Sequence, residues 1–143
     1  MTMKNTIALI LLVIVAAIAI MHYLALWNDW YGTIWWIDIP LHLLGGAFVG
    51  ILFLYIFLAR RNIVGNADAI FLIVLGMGFV ALVGVLWEFY EFWADVWFFH
   101  KYSMNEFPGW IHADTLKDLL NDIIGGTFAL ATFRALTRSR NDR

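Results

Sequence analysis

Two stretches of the chain repeat a carboxylate, a second polar residue and a glycine pair at the same spacing. One reads DIPLHLLGGAF from Asp38, and the other reads DLLNDIIGGTF from Asp118. Residues four apart lie on the same face of an α-helix, so Asp38 stacks with His42 in the first stretch. Asp118 stacks with Asp122 in the second stretch in the same way. Each stretch thus presents two ionisable groups above a pair of glycines.

A third polar stripe lies in the segment GVLWEFYEFWAD, which begins at Gly84. Glu88, Glu91 and Asp95 follow it at spacings of four, three and four residues, so a helix would carry them on one face. We therefore expect three helices to bring polar side chains to one level. The candidate metal ligands are His42, Glu88, Glu91, Asp118, Asp38, Asp114 and Asn121, and the candidate catalytic carboxylates are Asp122 and Asp95.

Imidazole and carboxylate groups together can bind a divalent metal ion. A mixed set suits Zn, Mn or Fe, whereas subsets with oxygen ligands alone suit Mg or Ca. Ionisable groups cost roughly 2.5–3.5 kcal/mol each near the bilayer centre, so such a cluster in lipid needs compensation. Bound metal, protonated carboxylates that share hydrogens, or a water-filled vestibule would provide it. A hydrogen-bonded network that joins the helices is the purely structural alternative.

The rest of the chain predicts the helices that position these residues. Its 143 residues are 63% hydrophobic and 14% charged, whereas soluble domains carry about a quarter charged residues. We expect an all-α fold, an integral membrane four-helix bundle that forms a single domain over residues 1–143. The predicted spans are residues 6–27, 39–59, 69–97 and 115–136, with an interfacial segment at 28–37 and an outer loop at 98–114.

Charge predicts which side of the membrane each end faces. The basic residues that fall on one side of this arrangement are Lys4, Arg60, Arg61, Arg134, Arg138, Arg140 and Arg143. By the positive-inside rule both termini are cytoplasmic and the polar site faces outside. All eight tryptophans lie toward the outer side, as in an interfacial belt. The first apolar run also fits a cleaved signal peptide, although it continues past the AAIA motif.

The repeated spacing and the glycines predict how the helices pack. Both repeats enter the membrane from outside, so two helix pairs could form a tandem repeat about an axis along the membrane normal. Chance similarity between two amphipathic helix starts is the alternative. The pairs Gly45-Gly46 and Gly125-Gly126 allow neighbouring backbones to approach closely. The same glycine-rich faces would also suit a homo-oligomer.

The motifs DIPLHLLGG, LWEFYEF and DTLKDLLNDIIGG resemble those of small bacterial membrane proteins of the YjdF type and, more distantly, VanZ-like proteins. The resemblance covers roughly residues 38–128 and implies a polytopic protein of the bacterial inner (plasma) membrane with no settled activity. VanZ-like proteins are associated with glycopeptide resistance, which implies a role in the cell envelope. The chain lacks the Arg that they tend to carry near their third motif, which argues against a resistance role. The matching positions are Asp38, His42, Glu88, Glu91, Asp114, Asp118 and Gly126.

Three functions are compatible with such a cluster. The first is a metal-dependent enzyme, a hydrolase of a lipid or lipid-linked envelope substrate, with Asp122 or Asp95 as general base. The second is a cation- or proton-coupled carrier or channel, although the cytoplasmic halves of the spans show no polar path. The third is a non-catalytic protein that binds an envelope lipid or acts as an accessory protein, such as a small subunit of a larger complex. Membrane lipid is the expected partner, and a net charge of −2 argues against nucleic acid.

Overall fold

The structure is a computed structural model that describes residues 3–61, 63, 68–100 and 109–141. Every regular element within these ranges is a helix, which confirms the predicted all-α class for the described chain. The elements are α1 (Met3–Trp27), α2 (Trp30–Thr33), α3 (Asp38–Phe53), a π-helix that continues α3 (Leu54–Arg60), α4 (Ala69–Trp97) and α5 (Ile111–Asn141).

Three of these helices are long and apolar enough to cross a membrane, and they match the first three predicted spans. They are Lys4–Trp27, Asp38–Arg60 and Ala69–Trp97. The fourth predicted span, residues 115–136, lies within α5, which has 31 residues but is not in this apolar class. Charged side chains in the first turns of α5 lower its hydropathy. A fourth crossing and the cytoplasmic position of both termini therefore stay predictions.

The connections at the polar end differ in detail from the sequence prediction. The expected interfacial segment 28–37 contains the single turn of α2, and Asp29 before it adopts the left-handed conformation with φ 54°. The helix α5 begins at Ile111, so the last part of the predicted outer loop 98–114 is helical. Residues 101–108 of that loop lie outside the described ranges.

Glycines bring α3 and α5 into backbone contact. A Cβ atom on Gly46 would coincide with the main chain of Asp122, and one on Gly50 would lie 3.0 Å from the carbonyl oxygen of Gly126. Later residues of α3 contact later residues of α5, so the two helices run parallel, as the two repeats predict. The faces through which the sequence predicts a homo-oligomer are thus packed together inside one chain, and oligomerisation stays a prediction.

Helix α4 packs antiparallel against the α3–α5 pair. Gly76, near its start, faces the side chain of Leu130, and Gly84, two turns later, faces the carboxylate of Asp122. Later residues of α4 therefore contact earlier residues of α5. The second half of α4, which carries the acidic stripe, consequently lies beside the first turns of α5.

The opposite end of the bundle is apolar. Phe53, Leu54, Leu72 and Leu130 are at most 2% exposed and form what we call the apolar cluster. Beside it, α1 packs through Ile7 and Leu11 against Ala59, at the end of the π-helix. Arg60 follows directly, so basic residues stand at the apolar end, far along α3 from His42.

Candidate metal centre

His42 lies at the centre of a group of buried carboxylates. Its Nδ1 atom is 3.3 Å from Oδ1 of Asp122. Its Nε2 atom is 3.6 Å from Oδ2 of Asp38 and 3.9 Å from Oδ1 of Asp118. His42 is 5% exposed, Asp118 2% and Asp122 7%. We call the following six side chains the polar cluster: Asp38, His42, Glu88, Glu91, Asp118 and Asp122.

The local sequence explains why these groups meet. Asp38 is the first residue of α3 and His42 follows one turn later, so both side chains lie on the face that meets α5. The glycine contact between Gly46 and the main chain of Asp122 draws the two helices together just beyond this point. The short Asp side chains of α5 can then reach the imidazole ring. The glycine pairs thus position the polar groups that stand one turn before them.

Two sets of side chains within the polar cluster could hold a metal ion. Asp38, His42 and Asp118 form one set, and His42, Glu88 and Glu91 form the other. In each set the potential ligand atoms lie within 4.8 Å of one another. His42 belongs to both, so α3, α4 and α5 all contribute to a single location. This arrangement matches the sequence expectation that three helices bring polar side chains to one level.

The two nitrogen atoms of His42 have different surroundings. A carboxylate at Nδ1, here that of Asp122, favours a proton on that nitrogen and leaves the Nε2 lone pair available. Metal-binding histidines are commonly oriented by such a carboxylate on the second nitrogen. Asp122 also packs against Gly84 and is not among the residues that line the adjacent cavity. Its position beneath His42 suits an orienting group better than the general base that the sequence suggests.

Buried oxygen atoms in the cluster lack hydrogen-bond donors. Among the described residues, neither Oε1 of Glu88 nor Oδ1 of Asp118 makes a hydrogen bond, although Nζ of Lys117 lies 3.4 Å from Oδ1 of Asp118. A buried acceptor without a partner costs roughly 1–3 kcal/mol, and more when it is charged. A divalent cation held by Asp38, His42 and Asp118 would satisfy the Asp118 oxygen, and one held by His42, Glu88 and Glu91 would satisfy the Glu88 oxygen. The His and carboxylate donors are those that Zn, Mn and Fe accept. The residues present therefore fit a metal ion.

A cavity of about 520 Å³ opens above the cluster. Asp38, Glu88, Glu91 and Asp118 reach it from below. Its upper wall contains residues of α1, α2 and the start of α5. A space of this size can take a small ligand, since ligand sites typically measure about 300–1,000 Å³. The polar cluster is thus accessible to a molecule larger than water.

A hydrogen bond between α1 and α2 closes one side of the cavity. Nδ1 of His22 lies 2.7 Å from the hydroxyl of Tyr31, and both residues line the cavity. Burial, with smaller contributions from the carboxylates of Asp38 and Glu91, raises the pKa of Tyr31 to about 12. The Tyr31 hydroxyl therefore keeps its proton at physiological pH and can serve as a donor toward the cavity.

The remaining sequence candidates lie outside the two ligand sets. Asp114 is on the exposed rim, where Oδ1 is 2.6 Å from Nζ of Lys117. Asp95 lines the cavity one turn beyond Glu91. The Nδ2 atom of Asn121 is buried without a hydrogen-bond partner among the described residues, and metal binding by this side chain would have to use its Oδ1 atom.

Sequence reasoning missed two contributors to the cavity. Asp29 and Tyr31 both belong to the segment 28–37 that was predicted to lie along the interface, and both line the cavity. Their placement depends on the left-handed turn at Asp29, after which α2 packs against α1 through the contact between Tyr31 and His22. The useful signal was the spacing of Asp29 and Gly32, because a side chain on Gly32 would collide with the Asp29 carboxylate.

The comparison with known families agrees with this architecture. Residues 1–139 match the family described as "Predicted membrane protein (DUF2238)". The chain belongs to this family of membrane proteins. No curated protein and no solved structure matches the sequence. Membership in DUF2238 confirms the membrane assignment, and the more specific likeness to YjdF-type and VanZ-like proteins stays a prediction.

Proposed function

We propose that this DUF2238 protein crosses the membrane four times and holds a divalent metal ion in the polar cluster. In this arrangement both termini are cytoplasmic, and the cluster faces the outer side of a bacterial plasma membrane. Arg60 follows the apolar end of α3 and His42 lies toward its other end, which supports the orientation. The charged start of α5 is compatible with a fourth span because Asp118 and Asp122 are shielded by α3.

One observation carries the metal proposal. Nε2 of His42 lies between Asp38 and Asp118 while Asp122 occupies Nδ1. Oδ1 of Asp118 makes no hydrogen bond among the described residues, and the cation beside it, Nζ of Lys117 at 3.4 Å, lies closer to Asp114 at 2.6 Å. A metal ion accounts for both the ring orientation and the unsatisfied oxygen.

The same geometry supports a hydrolase that acts on a lipid or a lipid-linked envelope substrate. When bound, a divalent ion would supply Lewis acidity and lower the pKa of water at the site. Asp122 orients the imidazole of His42, and Asp95 lines the cavity as a candidate general base. Tyr31 offers a hydroxyl donor from the opposite wall. The cavity thus combines a binding space, a proton acceptor and a proton donor.

Transport is less consistent with the core below the cluster. Beneath Asp122 the next layer consists of the closely packed backbones of Gly46 and Gly126. Val80 and Leu130, which follow, are at most 1% exposed. The sequence of α5 contains no charged residue between Asp122 and Arg134, and the buried hydroxyl of Thr127 is the polar group beside Gly126. A site closed on one side favours catalysis or binding over conduction.

Metal analysis of the purified protein tests the central proposal. We expect about one divalent ion per chain in wild type, as for a closed protein site. His42→Gln and Glu88→Gln should each lose most of this metal. His22→Gln provides the matched control, because His22 lines the same cavity but lies outside both ligand sets. Metal-free wild type, or His42→Gln with undiminished metal, would refute the site.

Hydrolysis is tested separately with lipids in nanodiscs. Asp95→Asn should keep the metal and lower the rate of head-group release roughly 10²- to 10⁴-fold, the usual contribution of a general base. Asp68→Asn, at the other end of α4, should leave the rate unchanged because Asn can still cap the helix. Head-group release that persists after chelation of the metal would exclude this mechanism.

A further inference from the structure

The cavity above the polar cluster has a marked excess of negative charge. Asp29, Asp95 and Asp114 line it in addition to four carboxylates of the cluster. Lys117 is the only Lys or Arg among the described residues that line it, and its ammonium already lies 2.6 Å from Asp114. Asp95 has an interaction of its own, and one divalent ion would neutralise two of the charges on the other carboxylates. Such an imbalance favours a further cationic ligand.

Aromatic side chains form much of the wall. Trp87 and Tyr90 of α4 both line the cavity, with ring centroids 5.2 Å apart and an interplanar angle of 42°. Trp110 lines it from the start of α5, and Tyr31 from α2. The faces of Trp and Tyr attract ammonium groups through their quadrupoles, and several such rings around a space suit an alkylated ammonium. Carboxylates and aromatic rings therefore point to the same ligand chemistry.

The cavity has a buried floor and an open wall. Asp118 is 2% exposed and lines the floor, where its Oδ1 lies 3.4 Å from Nζ of Lys117. Trp87 and Tyr90, by contrast, are 48% and 60% exposed on a helix apolar enough to cross a membrane. The wall they form is thus shared with the surface that meets lipid. A ligand can enter from the lipid side and extend toward the floor.

We propose that this cavity binds the ammonium group of a zwitterionic or cationic lipid head group. The proposal rests on the proposed function, for which it names the substrate class. The ammonium lies against the rings of Trp87 and Tyr90, and the surplus carboxylates neutralise it. A metal ion held by the cluster would be available to an anionic group of the same head group. Lipids with purely anionic head groups should bind poorly because they meet the acidic wall.

Calorimetric titration with choline tests this proposal. The matched control ligand is the alcohol of the same shape in which carbon replaces the nitrogen. Choline should bind the protein in a maltoside detergent, and the neutral alcohol should bind at least tenfold more weakly. Equal binding of the two would show a merely apolar space, and absence of choline binding both with and without metal would overturn the proposal.

Two pairs of variants locate the ammonium. Trp87→Leu should weaken choline binding about three- to tenfold, the size of one cation–π contact. Trp93→Leu is its control, because Trp93 lies on the same helix but does not line the cavity. Asp29→Asn should also weaken binding, since Asn tolerates the left-handed backbone while removing a charge. Unchanged affinity in both Trp87→Leu and Asp29→Asn would overturn the assignment.

The source of the ammonium is tested by competition in nanodiscs. Phosphatidylethanolamine should compete with choline, whereas phosphatidylglycerol should not. Competition by neither lipid would overturn the lipid assignment. Measuring each titration with and without chelator separates this proposal from the metal site. Choline binding by a protein that holds no metal would refute the proposed function alone, and metal binding without choline binding would refute this inference alone.

Discussion

The interface between α3 and α5 changes character along its length. At its start, imidazole and carboxylate groups meet, and His42 is within 4 Å of carboxylates from both helices. Towards its end, Phe53 and Leu54 of α3 and the π-helix form an apolar cluster with Leu130 of α5. The glycines between the two regions serve both. The comparison indicates that the apolar cluster stabilises the fold by packing. The polar cluster contributes side chains that can bind a ligand.

The largest expected effect lies at the glycine junction between the regions. Gly46→Ala should destabilise the protein by at least about 3 kcal/mol, at the upper end of overpacking costs, because its Cβ would overlap the main chain of Asp122. The two helices must then separate, so metal should be lost as well. Thermal unfolding in detergent, followed by metal analysis, measures both effects.

Gly78→Ala is the matched control for this change. A Cβ on Gly78 has open space around it, so the substitution should be neutral or stabilise the helix by up to about 1 kcal/mol. If Gly46→Ala proved as stable as Gly78→Ala, the close approach of α3 and α5 would be wrong.

The apolar region should affect stability without affecting metal. Leu130→Ala removes a side chain that is 0% exposed and packs against Gly76. We expect a loss of roughly 2–3 kcal/mol in the free energy of unfolding, near the lower end for buried leucines. Metal content of the folded protein should not change. Leu120→Ala on the same helix is the control, since Leu120 is 58% exposed and should cost far less. Loss of metal in folded Leu130→Ala would show that the two regions are coupled.

The polar region should show the reverse pattern. Asp122→Asn removes the carboxylate beside Nδ1 of His42 and should weaken metal binding about 10- to 100-fold, with a smaller effect on the fold. Asp114→Asn is the matched control on the same helix, because the Asp114 carboxylate pairs with Lys117 on the exposed rim. Metal titration followed by calorimetry distinguishes the two. Equal effects would mean that Asp122 has no special role in orienting His42.

Spacing in the sequence sufficed for the parts of the site that lie on regular helices. Asp38 and His42 stack because four residues make about one helical turn, and the glycine pairs marked where backbones approach. The same reasoning could not decide whether Asp122 is a general base or orients His42. Helical spacing places Asp122 on the correct face, but it does not show whether the carboxylate points to His42 or into the cavity. It also missed Tyr31, whose place depends on a left-handed residue in a loop rather than on periodicity. The roles of Asp122 and Tyr31 depend on where each side chain points in the folded protein, and residue type alone does not reveal this.

The smallest effect is expected where neither region is involved. At the start of α4, Oδ1 of Asp68 accepts hydrogen bonds from the backbone nitrogens of Ile70 at 2.6 Å and Phe71 at 3.2 Å. Asp68→Ala should cost about 1 kcal/mol, the usual value of an N-cap, and Asp68→Asn only a fraction of that. Both should leave metal and choline binding unchanged, because the cap lies at the opposite end of α4 from Glu88 and Glu91. A change in metal affinity in Asp68→Ala would mean that a change at the start of α4 shifts the position of its acidic residues in the polar cluster. The two regions could then not be treated separately.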